Sequence, residues 1–123
     1  MKTLIIDDSR AMRRILRQIV EPLGFQVTEA GDGIEGLNRL VEMGHVDVVF
    51  VDWNMPVMNG LEFVRAIRAH ADYQTLKVVM VTSETEPSKM ARALMSGVDE
   101  FVMKPFTPQI LVDKLNLIGV TMA

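Results

Sequence analysis

The stretch VDVVFVDWNMPVMNG, residues 46–60, decides the fold. Its first six residues are apolar except for Asp47. The run is short and rich in β-branched residues, so it reads as a strand buried on both faces. A buried strand is a costly place for a charge. Yet Asp52 follows Val51 directly, beside the single tryptophan, Trp53, and Asn54, Met55 and Pro56 then break the pattern. An acid at that point makes sense if the strand runs out to an edge where chemistry is done.

Working outward, four similar runs occur at residues 3–6, 25–28, 77–81 and 101–103. Helix-period segments separate them. Met12, Ile15, Leu16, Ile19 and Val20 form one core-facing stripe, and Ile34, Leu37, Leu40 and Val41 a second. Leu61, Val64 and Ile67 form a third, Met90, Ala91, Leu94 and Met95 a fourth, and Leu111, Leu115 and Ile118 a fifth. Asp32 with Glu35, and Asn59 with Glu62, have capping-box spacing. Thr107-Pro108 reads as N-cap and first helical residue, and Gly24 and Gly97 as C-caps of helices one and four. The order βαβαβαβαβα predicts an α/β fold, a parallel sheet with helices on both faces.

Composition narrows the function. A chain of 123 residues, 49% apolar and 24% charged, suits one globular domain. The net charge of −3 argues against a nucleic-acid partner. The absence of cysteine rules out disulfides, thiolate metal sites and cysteine nucleophiles, and fits a cytoplasmic protein. No apolar segment approaches the roughly 18 residues of a membrane span, and the first ten residues do not resemble a signal peptide, so no membrane partner is expected. His45 and His70 lack metal-ligand spacing and read as surface residues. Most of the ten methionines read as core filler, with Met58 and Met90 the ones to inspect for exposure.

In a parallel sheet the strands end on one edge, and ligands bind in the crevice there. The residues just past the runs are Asp7-Asp8, Asp52, Thr82-Ser83 and Lys104-Pro105. Side by side they would gather three carboxylates, a hydroxyl and an ammonium. Three acids together repel, and one would keep its proton unless a cation intervened. Hard oxygen ligands with an incomplete shell suit Mg²⁺, which shares its remaining positions with phosphate oxygens. A metal, a lysine and positioned donors are the recurring parts of phosphoryl transfer, and a carboxylate can act as its nucleophile. Each residue also has a plainer reading: Asp8 or Ser9 can cap helix one, and Thr82, Ser83 and Lys104 can be ordinary loop residues. Capping does not explain why Asp7, Asp52, Thr82 and Lys104 all follow strands.

The acidic pair Asp7-Asp8, the run DWNMPVMNGLE from residue 52 to 62, Thr82 and the KPF triplet at 104–106 resemble the receiver domain of two-component response regulators. Within that family the chain is most similar to the stand-alone chemotaxis type. The resemblance spans essentially residues 1–123 and implies a single receiver (response regulatory) domain with no output domain. It implies a (βα)5 doubly wound, flavodoxin-like sheet of strand order 2-1-3-4-5. It implies Asp52 as phosphoacceptor, with Asp7, Asp8, Asp52 and the backbone carbonyl of Asn54 holding Mg²⁺. Lys104 would pair with the phosphoryl group, Thr82 would bond to it and carry the signal, and Phe101 occupies the aromatic switch position. The Lys104–Pro105 bond is expected to be cis.

The implied function is a phosphorylation-activated switch. A histidine kinase supplies the phosphoryl group, Thr82 moves toward it, and Phe101 enters the space it leaves. The face of helix four, strand five and helix five then changes and binds a partner such as a flagellar motor switch. A phosphatase is a further expected partner, a monomer the expected state, and the only activity expected is gain and loss of the chain's own phosphoryl group. Phe101 stands where relatives often have Tyr, so no hydroxyl is available there, and Glu84 lies two residues after Thr82. Arg10, Arg13 and Arg17 recur along helix one as a solvated face or a dock for the phosphodonor.

Other readings compete. GDGIEG, residues 31–36, matches a dinucleotide fingerprint, but it follows the second strand and leaves Asp7, Thr82 and Lys104 without a role. A haloacid-dehalogenase-type hydrolase uses similar chemistry but carries a D-x-D nucleophile motif, which Asp7-Asp8-Ser9 is not. A receiver cut from a longer regulator, or a phosphorelay intermediate, shares every site residue.

Overall fold

The computed structural model describes residues 1–120. Its elements are β1 (Lys2–Ile6), α1 (Arg10–Val20), β2 (Gln26–Ala30), α2 (Gly33–Met43), β3 (Val48–Val51), α3 (Gly60–Arg68), β4 (Lys77–Thr82), α4 (Pro87–Ser96), β5 (Glu100–Met103) and α5 (Pro108–Leu117). All five strands pair in parallel in the order β2-β1-β3-β4-β5. The alternation of strand side chains divides the core. Leu4, Ile6, Val49, Val51, Val78 and Met80 pack beneath α2, α3 and α4. Ile5, Val48, Phe50, Val79 and Val81 pack beneath α1 and α5. The three inner strands are apolar because both their faces are covered.

Strand ends differ from the sequence reading where polar groups intervene. β3 starts at Val48 rather than residue 46, because the Asp47 carboxylate accepts the Lys2 N–H at 2.8 Å. β2 is an edge strand, with Gln26 exposed and Val27, Thr28 and Glu29 only half-buried, so the expectation of burial on both faces fails there.

Caps follow the sequence more closely. Ser9, Asp32, Asn59 and Thr107 each accept a helix N–H, and Asn59 and Glu62 close a reciprocal capping box. Gly97 ends α4 in the left-handed region at φ +115°. Gly24 does the same for a 3₁₀ turn that extends α1 over residues 21–23.

Helix faces need correction. In α1 only Leu16 and Val20 are buried, and Ile15 is 44% exposed. In α2 the buried residues are Gly33, Gly36 and Leu40, while Ile34 and Val41 are exposed. A Cβ at Gly36 would lie 2.5 Å from Ile6 Cδ1 and 3.1 Å from Phe63. Close packing therefore accounts for two glycines of GDGIEG, Gly36 against Ile6 of β1 and Gly33 against Met58 in the loop before α3. In α4 the buried residue is Ala93, whereas Leu94 is 52% and Met95 89% exposed. The third and fifth stripes hold for Leu61, Val64, Ile67, Leu111 and Leu115, with Ile118 half-buried. Met58 and Met90 are half-buried against the core. No helix among the described residues is long and apolar enough to cross a membrane.

Candidate functional site

Strand register brings the acids together. Ile6 is the partner of Val51, so Asp7 and Asp52, each one residue further on, leave adjacent strands side by side. The ladder continues one step past the strands: Asp7 N–H donates to the Ala30 carbonyl at 3.1 Å, and Asp52 N–H to the Ile6 carbonyl at 3.0 Å. Thr82 pairs with Met103, and Lys104 N–H donates to the Thr82 carbonyl at 3.0 Å. The long Lys104 stem then reaches across β4. Its ammonium donates to Asp7 Oδ2 at 3.0 Å and Asp52 Oδ2 at 3.2 Å. The Lys104–Pro105 peptide bond is cis.

Both inner carboxylates are held at their other oxygen. Ser9 N–H donates to Asp7 Oδ1 at 2.9 Å, and Trp53 N–H to Asp52 Oδ1 at 2.7 Å. Asp7, Asp52 and Thr82 are buried, Asp8 is exposed, and Lys104 is half-buried. Burial pushes the Asp7 carboxyl above its ordinary value, and the Asp52 charge adds to this, against the opposing pull of Ser9 N–H and Lys104. Burial would lower the Lys104 ammonium, but its bonds to Asp7 and the charges of Asp7 and Asp52 outweigh this and hold it above the usual lysine value.

Asp7, Asp8 and Asp52 each offer a carboxylate oxygen, all within 4.8 Å of one another, and they are the one such group of three among the described residues. One ammonium against three carboxylates leaves a surplus of negative charge when all are ionised. A small set of hard oxygens with that surplus fits a divalent cation such as Mg²⁺. Asp8, Asn54, Met55, Pro56 and Asn59 line an open cleft beside them. A separate cavity of about 680 Å³ lies at the other end of the sheet, with His45 and His70 in its wall. Both histidines are exposed, each with a neighbouring Asp partner.

Thr82 is fully buried, and its Oγ1 accepts the Glu84 N–H at 3.1 Å. Phe101 is 8% exposed and already part of the core under α3 and α4. Two features of the site have no sequence signal. Val57, in the loop after Asp52, has φ +68°, a left-handed conformation costly for a β-branched residue. Arg13 and Arg17 do not form a solvated stripe with Arg10, since both turn toward Glu29 on β2.

Residues 3–116 match the response regulator receiver domain family. A chemotaxis protein CheY homolog of Campylobacter jejuni is 44% identical over 117 residues, 94% of this chain and 90% of that protein. Chemotaxis protein CheY1 of Helicobacter pylori is 39% identical over 119 residues, 96% of each chain. Among solved structures, chemotaxis protein CheY4 of Vibrio cholerae superposes with a TM-score of 0.88 at 35% identity, over 95% of this chain and 97% of that one. In strand order, in the acids at the sheet edge and in these relatives alike, the chain belongs to the response regulator receiver domain family and is CheY-like.

Proposed function

We propose that this receiver is a phosphorylation-activated switch of a two-component system, with Asp52 as the phosphoacceptor. The observation that carries this reading is the Lys104 ammonium bridging Asp7 and Asp52 at 3.0 and 3.2 Å, inside a cluster of three carboxylates. A carboxylate oxygen of Asp52 attacks phosphorus. The bond from phosphorus to the donor breaks, and its electron pair leaves with the histidine nitrogen of a kinase or the carboxylate of acetyl phosphate. Asp7, Asp8 and Asp52, with the Asn54 carbonyl, would hold Mg²⁺, which neutralises charge on the transferring group. Lys104 would turn from the carboxylates to a phosphoryl oxygen. Trp53 N–H, already on Asp52, keeps the acceptor in place. The chain's own chemistry is then limited to gaining and losing this one group.

Thr82 would carry the signal. A hydroxyl has one donor and two acceptor sites. Its oxygen accepts from Glu84, so its proton is free to be offered to a phosphoryl oxygen without breaking that bond. Pulling Thr82 inward would pull Glu84, whose carboxylate lies 3.5 Å from Lys89 on α4. Leu94 and Met95 on α4 and Ile110 and Leu117 on α5 are large apolar side chains left exposed on the two helices that flank β5, which supports a protein partner at these helices. The named relatives are chemotaxis proteins, so we infer a chemotaxis output in the cytoplasm, a motor switch component as partner and a phosphatase to reset it.

The test is intact-mass spectrometry after incubation with acetyl phosphate. One phosphoryl adduct that needs Mg²⁺ and is absent in Asp52→Asn supports the reading. Continuous phosphate release without an adduct would make the chain a hydrolase.

A further inference from the structure

We infer that Arg13 is a positioning residue for the metal site, acting through the backbone of Asp7. The inference rests on the reading that Asp7, Asp8 and Asp52 hold Mg²⁺.

The need for such a residue arises where the sheet stops. Asp7 N–H continues the β1–β2 ladder by donating to Ala30, but β2 ends at Ala30 and the chain turns away into α2. The Asp7 carbonyl, on a residue 1% exposed, therefore lies past the last rung of that ladder. Arg13 Nη1 supplies a donor to it at 2.6 Å. A buried carbonyl left without a donor is costly, and the loop would shift to find one. The carboxylate that such a shift would carry with it is the most buried of the three acids.

Arg13 is itself fixed. Its Nε donates to Glu29 Oε1 at 2.9 Å, and Arg17 Nε donates to the other oxygen, Oε2, at 2.9 Å. The Arg13 side chain is only 17% exposed. A guanidinium is a planar fork that can serve a carboxylate and a carbonyl at once, which a lysine's single nitrogen cannot do from the same position. Edge strand β2 is thus tied through Glu29 and Arg13 to the loop that carries the acid pair.

Two effects of Arg13 on a bound cation have opposite signs. As a nearby positive charge it repels Mg²⁺, so its removal should tighten binding. As a support for Asp7 it presets a ligand, so its removal should weaken binding. The direction of change separates the two roles.

The experiment titrates the full chain with Mg²⁺ and follows Trp53 emission, for wild type, Arg13→Met, Arg13→Lys and Arg17→Met. Removing the outer support of a metal ligand typically weakens the site by about 10-fold or more, and that rise in Kd is expected for Arg13→Met. Arg13→Lys recovers only part of it. Arg17→Met removes the same charge from the same Glu29 without touching the Asp7 carbonyl, and its Kd stays within about twofold of wild type. Circular dichroism checks that each variant is folded, and if Arg13→Met is not, Arg13→Lys decides. Arg13→Met binding as tightly as wild type or tighter overturns the inference. So does full recovery in Arg13→Lys, or equal weakening in Arg13→Met and Arg17→Met. Wild type that shows neither an emission change nor thermal stabilisation with Mg²⁺ overturns the metal reading itself.

Discussion

Gly60→Ala tests how tightly the fold holds Asp52, the proposed phosphoacceptor. Gly60 opens α3 directly opposite the end of β3. A Cβ there would lie 2.1 Å from the Asp52 carbonyl oxygen, 3.0 Å from its carbon and 3.1 Å from Trp53 Cα. All three are backbone atoms, so no side chain can swing aside. Either the helix start or the Asp52–Trp53 backbone must move by about 1 Å, which places the cost at about 2–3 kcal/mol, the upper part of the overpacking range. At about 4 °C per kcal/mol for a domain of this length, the melting midpoint should fall by about 8–12 °C. The Gly60 N–H bond to the Trp53 carbonyl, 2.9 Å long, would be lost or stretched. Asp52 would be displaced with the strand end, and a misplacement of about 1 Å can cost roughly 100-fold in rate. Thermal unfolding by circular dichroism and adduct formation from acetyl phosphate measure the two effects. Gly24→Ala is the control: it has φ +99° but nothing within 4 Å of its Cβ. It should cost about 1–2 kcal/mol from backbone conformation and leave the phosphorylation rate unchanged. Gly60→Ala that melts and reacts like wild type would refute the reasoning.

Asp7→Asn should raise the stability of the metal-free protein and abolish the stabilisation by Mg²⁺, as thermal scans with and without the ion would show. Burial raises the Asp7 carboxyl from its ordinary 3.8, so the folded state binds more protons than the unfolded one between that value and the folded pKa. Wild-type stability should therefore have a component that falls as pH rises through that window, and the variant should lack it. Val57→Asn should stabilise by about 1 kcal/mol in urea unfolding, because Asn tolerates the left-handed region that Val57 occupies at φ +68°. Thr82→Ala should still take up one phosphoryl group by intact mass, but phosphorylation should no longer raise its affinity for a partner. Met95→Lys, at a site 89% exposed, should change stability by less than about 0.5 kcal/mol yet weaken capture of the phosphorylation-dependent partner, measured by calorimetry once that partner is in hand.

What the sequence made legible follows from what each pattern measures. A short β-branched run has few alternatives to a strand, and in a parallel sheet its last residue marks the ligand edge. Asp7, Asp52, Thr82 and Lys104 could therefore be picked out without coordinates. Helix faces were less legible, because an apolar residue at helical spacing need not be buried. α2 packs so closely that its inner face includes Gly36, against Ile6 of β1, and Gly33, against Met58, while Ile34 and Val41 lie exposed. α4 buries Ala93 and exposes Leu94 and Met95, so an apolar pattern described a surface rather than a core. The environment of Arg13 was not legible at all. Its partner Glu29 lies on an edge strand, and only the pairing of Ile6 with Ala30 brings the end of that strand to Asp7.

The magnitudes bear on how such a switch can work. Phe101 is already buried, so little apolar surface remains for that ring to gain on phosphorylation. On the proposed function the larger differential term would be the Thr82 hydroxyl, because a hydrogen bond to a charged phosphoryl oxygen contributes about 1.5–3 kcal/mol. A difference of that size between two conformations shifts their ratio by roughly 10- to 150-fold. That suffices for a switch only if the resting equilibrium is not far from balance. Two features of the site raise the cost of the conformation described here: Asp7 and Asp52 share one ammonium, and the loop after Asp52 holds Val57 in the left-handed region. On the proposed function, Mg²⁺ and a phosphoryl group would relieve the crowding of charge at Asp7 and Asp52. Val57→Asn, which relieves the backbone cost without touching a proposed metal ligand, should gain stability and lose part of the response to phosphorylation.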